Sequence, residues 1–177
     1  DLDARRRVLR ETRVVADGFI QKDDHLVPFY TPVQGDVAGD LGHRPVVEGD
    51  TANLWTWLDW MLSASSNAAA SIVMREMLLL AHFGSSYPVD DATAARFLST
   101  TPKADLSRLL AESMDGAARR SGLDTSRLRQ GTLFTRAGKE KVPGGHSVAT
   151  SRELMHYLVL MEQGKLVDSF SSLEIKK

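Results

Sequence analysis

Over most of this chain, hydrophobic residues fall into helix-period blocks separated by stretches rich in glycine and proline. Residues 1–16 read as a helix or a helix tail, with Leu2, Val8, Leu9, Val14 and Val15 set among arginines. Residues 17–50 change character. Pro28, Pro32, Gly35, Gly39, Gly42 and Pro45 break any period, and apolar pieces such as Leu26-Val27 suit one or two short strands in a long loop. Loops of this length in compact domains are often functional, or rest on a larger surface that supports them.

A helix capped by Asp50 or Thr51 follows, with Leu54, Trp57, Leu58, Met61 and Leu62 on one face. Ser63-Ala64-Ser65-Ser66-Asn67 interrupts it, and a second helix is predicted over about 68–83. Ala69, Ala70, Ile72, Val73, Met77, Leu78, Leu80 and Ala81 make this helix apolar nearly all round, which suits a position packed on every side, and Gly84 ends it. Asp90-Asp91 starts a short helix through Leu98. Residues 102–105 open another through about Arg120, with Leu106, Leu109, Leu110 and Met114 inward and Gly122 as its stop. Residues 131–136 read as extended and Pro143-Gly144-Gly145 as a turn. Thr150-Ser151-Arg152-Glu153 has the form of a capping box, opening a helix with Leu154, Tyr157, Leu158 and Met161 inward and Gly164 at its end. Ser171-Ser172-Leu173-Glu174 offers a second box three residues before the last residue. With a first residue that is Asp rather than Met, this pattern suggests a piece of a longer chain.

A length of 177 residues, with 42% hydrophobic and 25% charged, fits one globular domain and excludes a disordered tail, a collagen-like fibre or a disulfide scaffold. Lys+Arg number 22 against 23 Asp+Glu, so no overall field draws the chain to nucleic acid or an anionic membrane. The arginines of the first helix are interleaved with Asp1, Asp3 and Glu11 and read as a solvated face. There is no cysteine, which excludes disulfides, thiolate metal sites and a cysteine nucleophile. The longest apolar stretch, 68–83, is broken by Arg75-Glu76 and is short for a membrane span. His25, His43, His82, His146 and His156 show no ligand spacing, and His82 and His156 are expected to be packed core residues. Neither G-x-G-x-x-G nor G-x-x-x-x-G-K-[ST] occurs, so neither a metal nor a nucleotide cofactor is expected.

The segment with chemical content is Ser65-Ser66-Asn67, placed between two helices. Serine and asparagine are favoured N-cap residues, so one reading is a plain helix cap, with Asn67 capping the buried helix. The wider run, Asn53 through Val73, has an amphipathic helix, a Ser-x-Asn loop, small residues (Ala68-Ala69-Ala70-Ser71) and then a buried apolar helix. In this it resembles the serine β-lactamase and penicillin-binding protein superfamily, where the loop most often reads Ser-Asp-Asn. Residues 147–167, with Thr150 opening a helix that stops at Gly164, resemble the helix that follows the active-site Ω loop in class A enzymes.

Such enzymes acylate a serine with a β-lactam or a peptidyl amide, and the leaving nitrogen must receive a proton. The resemblance implies Ser65 as the catalytic hydroxyl that relays this proton and Asn67 as the substrate-binding side chain that orients the amide carbonyl. It also implies a small-molecule substrate (a β-lactam or a related amide or ester), no cofactor, and a periplasmic or secreted location. Of the three family motifs, only Ser-x-Asn is present. No Ser has Lys three residues on, Thr100-Thr-Pro-Lys103 having that spacing with threonine first, and no Lys-[Thr/Ser]-Gly occurs. The nucleophile is therefore expected upstream of Asp1 and the Lys-[Thr/Ser]-Gly strand downstream of Lys177. The expected fold is mostly α: a single incomplete domain over 1–177, the helical part of an α+β β-lactamase-like hydrolase with most of its sheet missing. In it, 17–50 is the loop-rich segment and 51–177 the helical core. The rival is a non-catalytic all-α interaction module in which Ser65-Ser66-Asn67 is only a cap.

Overall fold

The computed structural model describes residues 2–20, 25–30 and 41–175, and side-chain burial for residues 3–20, 25–30 and 41–172. The described part is mostly helical, with three separate two-stranded antiparallel pairs. Helix α1 (Leu2–Glu11) is followed by strand β1 (Arg13–Val15), which pairs with β4 (Thr51–Asn53). The predicted helix over 1–16 is therefore too long. Val14 and Val15 leave the helical period and join a ladder, and Val14 is buried. In the loop-rich stretch, β2 (Val27–Tyr30) and β3 (Leu41–Arg44) form a hairpin. Residues 21–24 and 31–40, with Pro32, Gly35 and Gly39, lie outside the described residues. The hairpin docks through Phe29 on Trp60, ring centroids 4.8 Å apart, and the Arg44 guanidinium lies 3.7 Å from the Phe29 centroid while gripping Asp50 with two hydrogen bonds.

Helix α2 (Leu54–Ser63) begins later than expected because Thr51–Asn53 is strand, and Asn53 is its cap, accepting from the Thr56 N–H at 2.8 Å. Its buried residues are Leu54, Trp57 and Trp60, while Leu62 points outward. The indole of Trp57 is fully buried and donates to the Val14 carbonyl, which ties α2 to β1. Helix α3 (Asn67–Phe83) is the centre of the molecule. Residues 68–76 are buried without a break, against α2 on one side and Leu106 and Leu110 of α5 (Lys103–Arg120) on another. Each large apolar side chain withdrawn from water here contributes about 1.5–3 kcal/mol.

The same helix carries Arg75 and Glu76 into the core. Arg75 bonds Glu76 through Nε at 2.8 Å, meets Asp17 at 2.6 Å, and donates to the Val15 carbonyl. Tyr87 completes the set, its hydroxyl donating to the other Glu76 oxygen at 2.7 Å. Burial pushes the Arg75 pKa down, but the charges of Glu76 and Asp17 outweigh it and hold the guanidinium above its ordinary value. The Tyr87 hydroxyl is pushed up by burial and by the Glu76 charge.

Helix α4 (Asp91–Thr100), capped by Asp90, and α5, ending before Gly122, lie close to their expected positions. His82 is not a core residue; it is exposed and stacks on Phe97, ring centroids 4.0 Å apart. Residues 131–136 are not a strand. The short strand is β5 (Leu128–Arg129), paired with β6 (Val148–Ala149), and Thr135 caps an unexpected helix, α6 (Arg136–Lys141).

Helix α7 (Ser151–Glu162) is capped by Thr150 as expected, but the reciprocal half of the box goes elsewhere. The buried Glu153 carboxylate accepts from the Asp124 N–H at 2.8 Å and from His156, which is exposed rather than packed. Leu154 and Leu158, expected inward, are 47% and 41% exposed because α7 has α8 (Ser169–Ile175) as its main neighbour. The α8 cap is Asp168, not Ser171: its carboxylate accepts from the Ser171 N–H, and the Ser172 hydroxyl turns back to the Leu166 carbonyl. No helix among the described residues is long and apolar enough to cross a membrane.

Candidate functional site

The α2–α3 junction turns on one residue. Ala64 closes α2 in a right-handed conformation, Ser65 has φ of 53°, and Ser66 is extended at φ −67° and ψ 117°. A left-handed residue after a helix is ordinarily glycine, because a Cβ there costs roughly 1–2 kcal/mol. The chain places a serine in that position and leaves it exposed. Ser66 does the structural work of the junction. It is buried, its hydroxyl accepts from the Ala69 N–H at 3.1 Å, and its own N–H donates back to the Trp60 carbonyl. Asn67 is the first residue of α3 and is half-buried. The cap is thus Ser66, while Ser65 and Asn67 flank it at the rim of the turn.

One turn further along α3, the fully buried Ser71 hydroxyl accepts from the Thr135 N–H at 3.0 Å. Thr135 itself caps α6 and donates its hydroxyl to the Phe19 carbonyl. This places the segment before α7 against the helix that carries the Ser-x-Asn run. The segment, residues 131–146, returns to its own starting point. The β5–β6 pair forms its stem, and the Gly131 N–H donates to the Ser147 hydroxyl at 3.1 Å. At the crossing, a Cβ on Gly131 would sit 2.7 Å from the Gly145 carbonyl oxygen, and one on Gly144 would sit 2.8 Å from the Thr132 Cα. Only glycine permits the two backbones to pass so closely. Leu133 and Val142 of the closed segment are completely buried in the main core, and its one carboxylate, Glu140, faces solvent in a pair with Arg136. Closed ends and a span of 16 residues give this segment the outline of an Ω-type loop, with helix α6 inside it and its buried side chains joined to the main core.

A cavity of about 480 Å³ lies on another face, lined by Met114, Ala118, Leu128, Val148 and Tyr157 among others, and neither Ser65 nor Asn67 lines it. Sequence reasoning missed this cavity, the Thr135–Ser71 tie and the Arg75–Glu76–Tyr87 set. Two adjacent charges inside an apolar helix were the available signal for the last of these. Comparison of this chain with protein-family models, with curated proteins and with solved structures finds no match.

Proposed function

We propose that these residues are the helical part of a β-lactamase-like serine hydrolase, acting through an acyl-serine on a β-lactam or a related amide or ester. Ser65 relays the proton and Asn67 holds the substrate amide; the Ser-x-x-Lys nucleophile and the Lys-[Thr/Ser]-Gly strand lie outside this chain. The observation that carries the reading is the closed loop at residues 131–146, bound to α3 one turn beyond the Ser-x-Asn run through Thr135 and Ser71. The resemblance calls for an Ω loop at that place in the sequence, ahead of the Thr150-capped helix.

In the acylation step the nucleophilic serine gives up its hydroxyl proton as its oxygen bonds to the substrate carbonyl carbon, the C–N bond (C–O in an ester) breaks, and the departing atom takes a proton delivered through Ser65. An exposed hydroxyl at the rim of the turn suits that transfer, and a positioned acid of this kind contributes about 10²–10⁴-fold. The left-handed serine supports the assignment too, since residues held in costly conformations cluster at functional sites.

Ser65→Gly separates chemistry from fold because glycine suits φ of 53° better than serine does. In a protein carrying all three motifs, acylation by a labelled penicillin should slow about 10²–10⁴-fold while thermal stability holds or rises. Acylation at the parental rate would remove Ser65 from the relay. The 177-residue chain alone should give no adduct by intact mass; a stoichiometric adduct would place a nucleophile within it. A second reading, a non-catalytic helical module, is favoured by the Ser66 cap, which gives the tripeptide a structural task of its own. It is the reading left standing if no form of the protein is acylated.

A further inference from the structure

Next to the cavity beside α5 lies a second of about 170 Å³, and Asp115, Arg129 and Gln130 line both. The larger part is walled by Met114 and Ala118 of α5, Leu128 of β5, Val148 and Ala149 of β6, and Tyr157 of α7. The smaller is lined by Gly131, Pro143, Gly144 and Gly145 together with Ser107 and Ala111 of α5. A volume of about 480 Å³ with apolar walls and a few polar groups falls in the roughly 300–1,000 Å³ range of small-molecule sites.

The shared lining carries both signs of charge, Asp115 from α5 and Arg129 from β5. Asp115, on α5, is mostly buried and has Arg119 at 3.6 Å. Arg129, on β5, is exposed; it spends Nε on the His146 carbonyl at 3.2 Å, and its other guanidinium nitrogens have no partner among the described residues. A simple fatty acid would bring its carboxylate to Asp115 as well as to Arg129, and a simple amine would meet Arg129. A molecule with an ammonium and a carboxylate on an apolar frame satisfies both. We infer that this groove binds a small zwitterion with apolar side chains, of the class of short apolar peptides with free termini. An occupant reaching the smaller part touches Gly131 and Gly144, the crossing that closes the Ω-type loop.

The test is a titration of the 177-residue chain with the dipeptide Leu-Leu, followed by amide chemical shifts. Binding needs no nucleophile, so its outcome is independent of the acylation assay. Saturable binding at millimolar concentration or tighter is expected, with shifts centred on residues 114–118, 128–131 and 147–149. Acetyl-Leu-Leu-amide, which keeps the apolar frame and loses both charges, should bind at least about tenfold more weakly, a difference of about 1.4 kcal/mol. Arg129→Gln and Asp115→Asn, at positions outside the core, should each weaken Leu-Leu and leave the blocked peptide unaffected. Ala118→Trp should fill the larger part and abolish binding of both. No saturable binding, equal affinity for the blocked peptide, or shifts away from the groove would each overturn the assignment.

Discussion

Helices α3 and α7 both begin at a hydroxyl cap, Ser66 and Thr150, and both are rich in large apolar residues, yet they end in opposite surroundings. In α3 the whole stretch 68–76 is withdrawn from solvent, including two charged residues. In α7 Leu154, Met155, Leu158 and Val159 all stand at least 41% exposed. The difference lies in neighbours rather than in composition. The first helix is surrounded by α2, α5, Phe19 and the closed loop around Leu133, whereas the second leans mainly on α8. An apolar pattern states what a helix can bury, and the number of packed faces decides what it does bury.

The sharpest test of the α3 environment is its charge set. Glu76→Ala would leave the Arg75 guanidinium buried with Asp17 alone and the Tyr87 hydroxyl without its acceptor. Removing one partner of a buried pair costs about 3–5 kcal/mol. Urea unfolding should show a midpoint lowered accordingly; a loss below about 1 kcal/mol would mean that solvent reaches the pair and that α3 is not sealed. Next in size is Ser71→Ala, which strips the Thr135 N–H of its acceptor inside the core. The expected loss is about 1–3 kcal/mol. Amide exchange at Thr135 should also accelerate, because this bond holds the Ω-type loop on α3. Unchanged exchange there would show that the loop is held by Leu133 and Val142 instead.

The central helix and the Ser-x-Asn run were legible in the sequence because each rests on local pattern: unbroken apolarity in one, residue types between two helices in the other. What stayed hidden depends on contacts far apart along the chain. Gly131 and Gly144 each look like ordinary turn material, and their common purpose emerges only when the two backbones cross. Nothing in residue type marks Ser65 as left-handed, since glycine is the residue that would announce it. Local pairing rules assign the Glu153 carboxylate to its own helix terminus, whereas a loop nitrogen, that of Asp124, takes it. Period alone places Leu154 and Leu158 inward, because it identifies a face without supplying what covers it.

Glu153 also links α7 to acid stability. Its pKa is lowered chiefly by the Asp124 N–H bond, with His156 adding to it against some desolvation. Asp168 is lowered by the Ser171 N–H and by Arg5, Asp124 by the Ser126 hydroxyl and N–H, and Asp90 by the Thr93 N–H. A depressed carboxylate means that the unfolded chain binds more protons, so stability is present at neutral pH and is lost as pH falls through the folded values. Thermal midpoints should hold near pH 7 and fall progressively below about pH 5. Glu153→Gln should flatten part of that fall, and a midpoint that stays level to pH 3 would contradict the assignment.

The smallest expected effect bears most directly on the comparison between the two helices. Leu158 sits at the middle of α7 and is 41% exposed, so truncating it removes a side chain that water already reaches. Leu158→Ala should change stability by about 0.5 kcal/mol or less, since alanine is the better helix former and no closed cavity is created. The equivalent truncation at Leu78 of α3, which is completely buried, belongs to the class costing about 2–5 kcal/mol. Measuring the two variants side by side by urea unfolding reads the number of packed faces as an energy. If Leu158→Ala costs as much as Leu78→Ala, the outer face of α7 is covered in solution, and the contrast between the helices disappears.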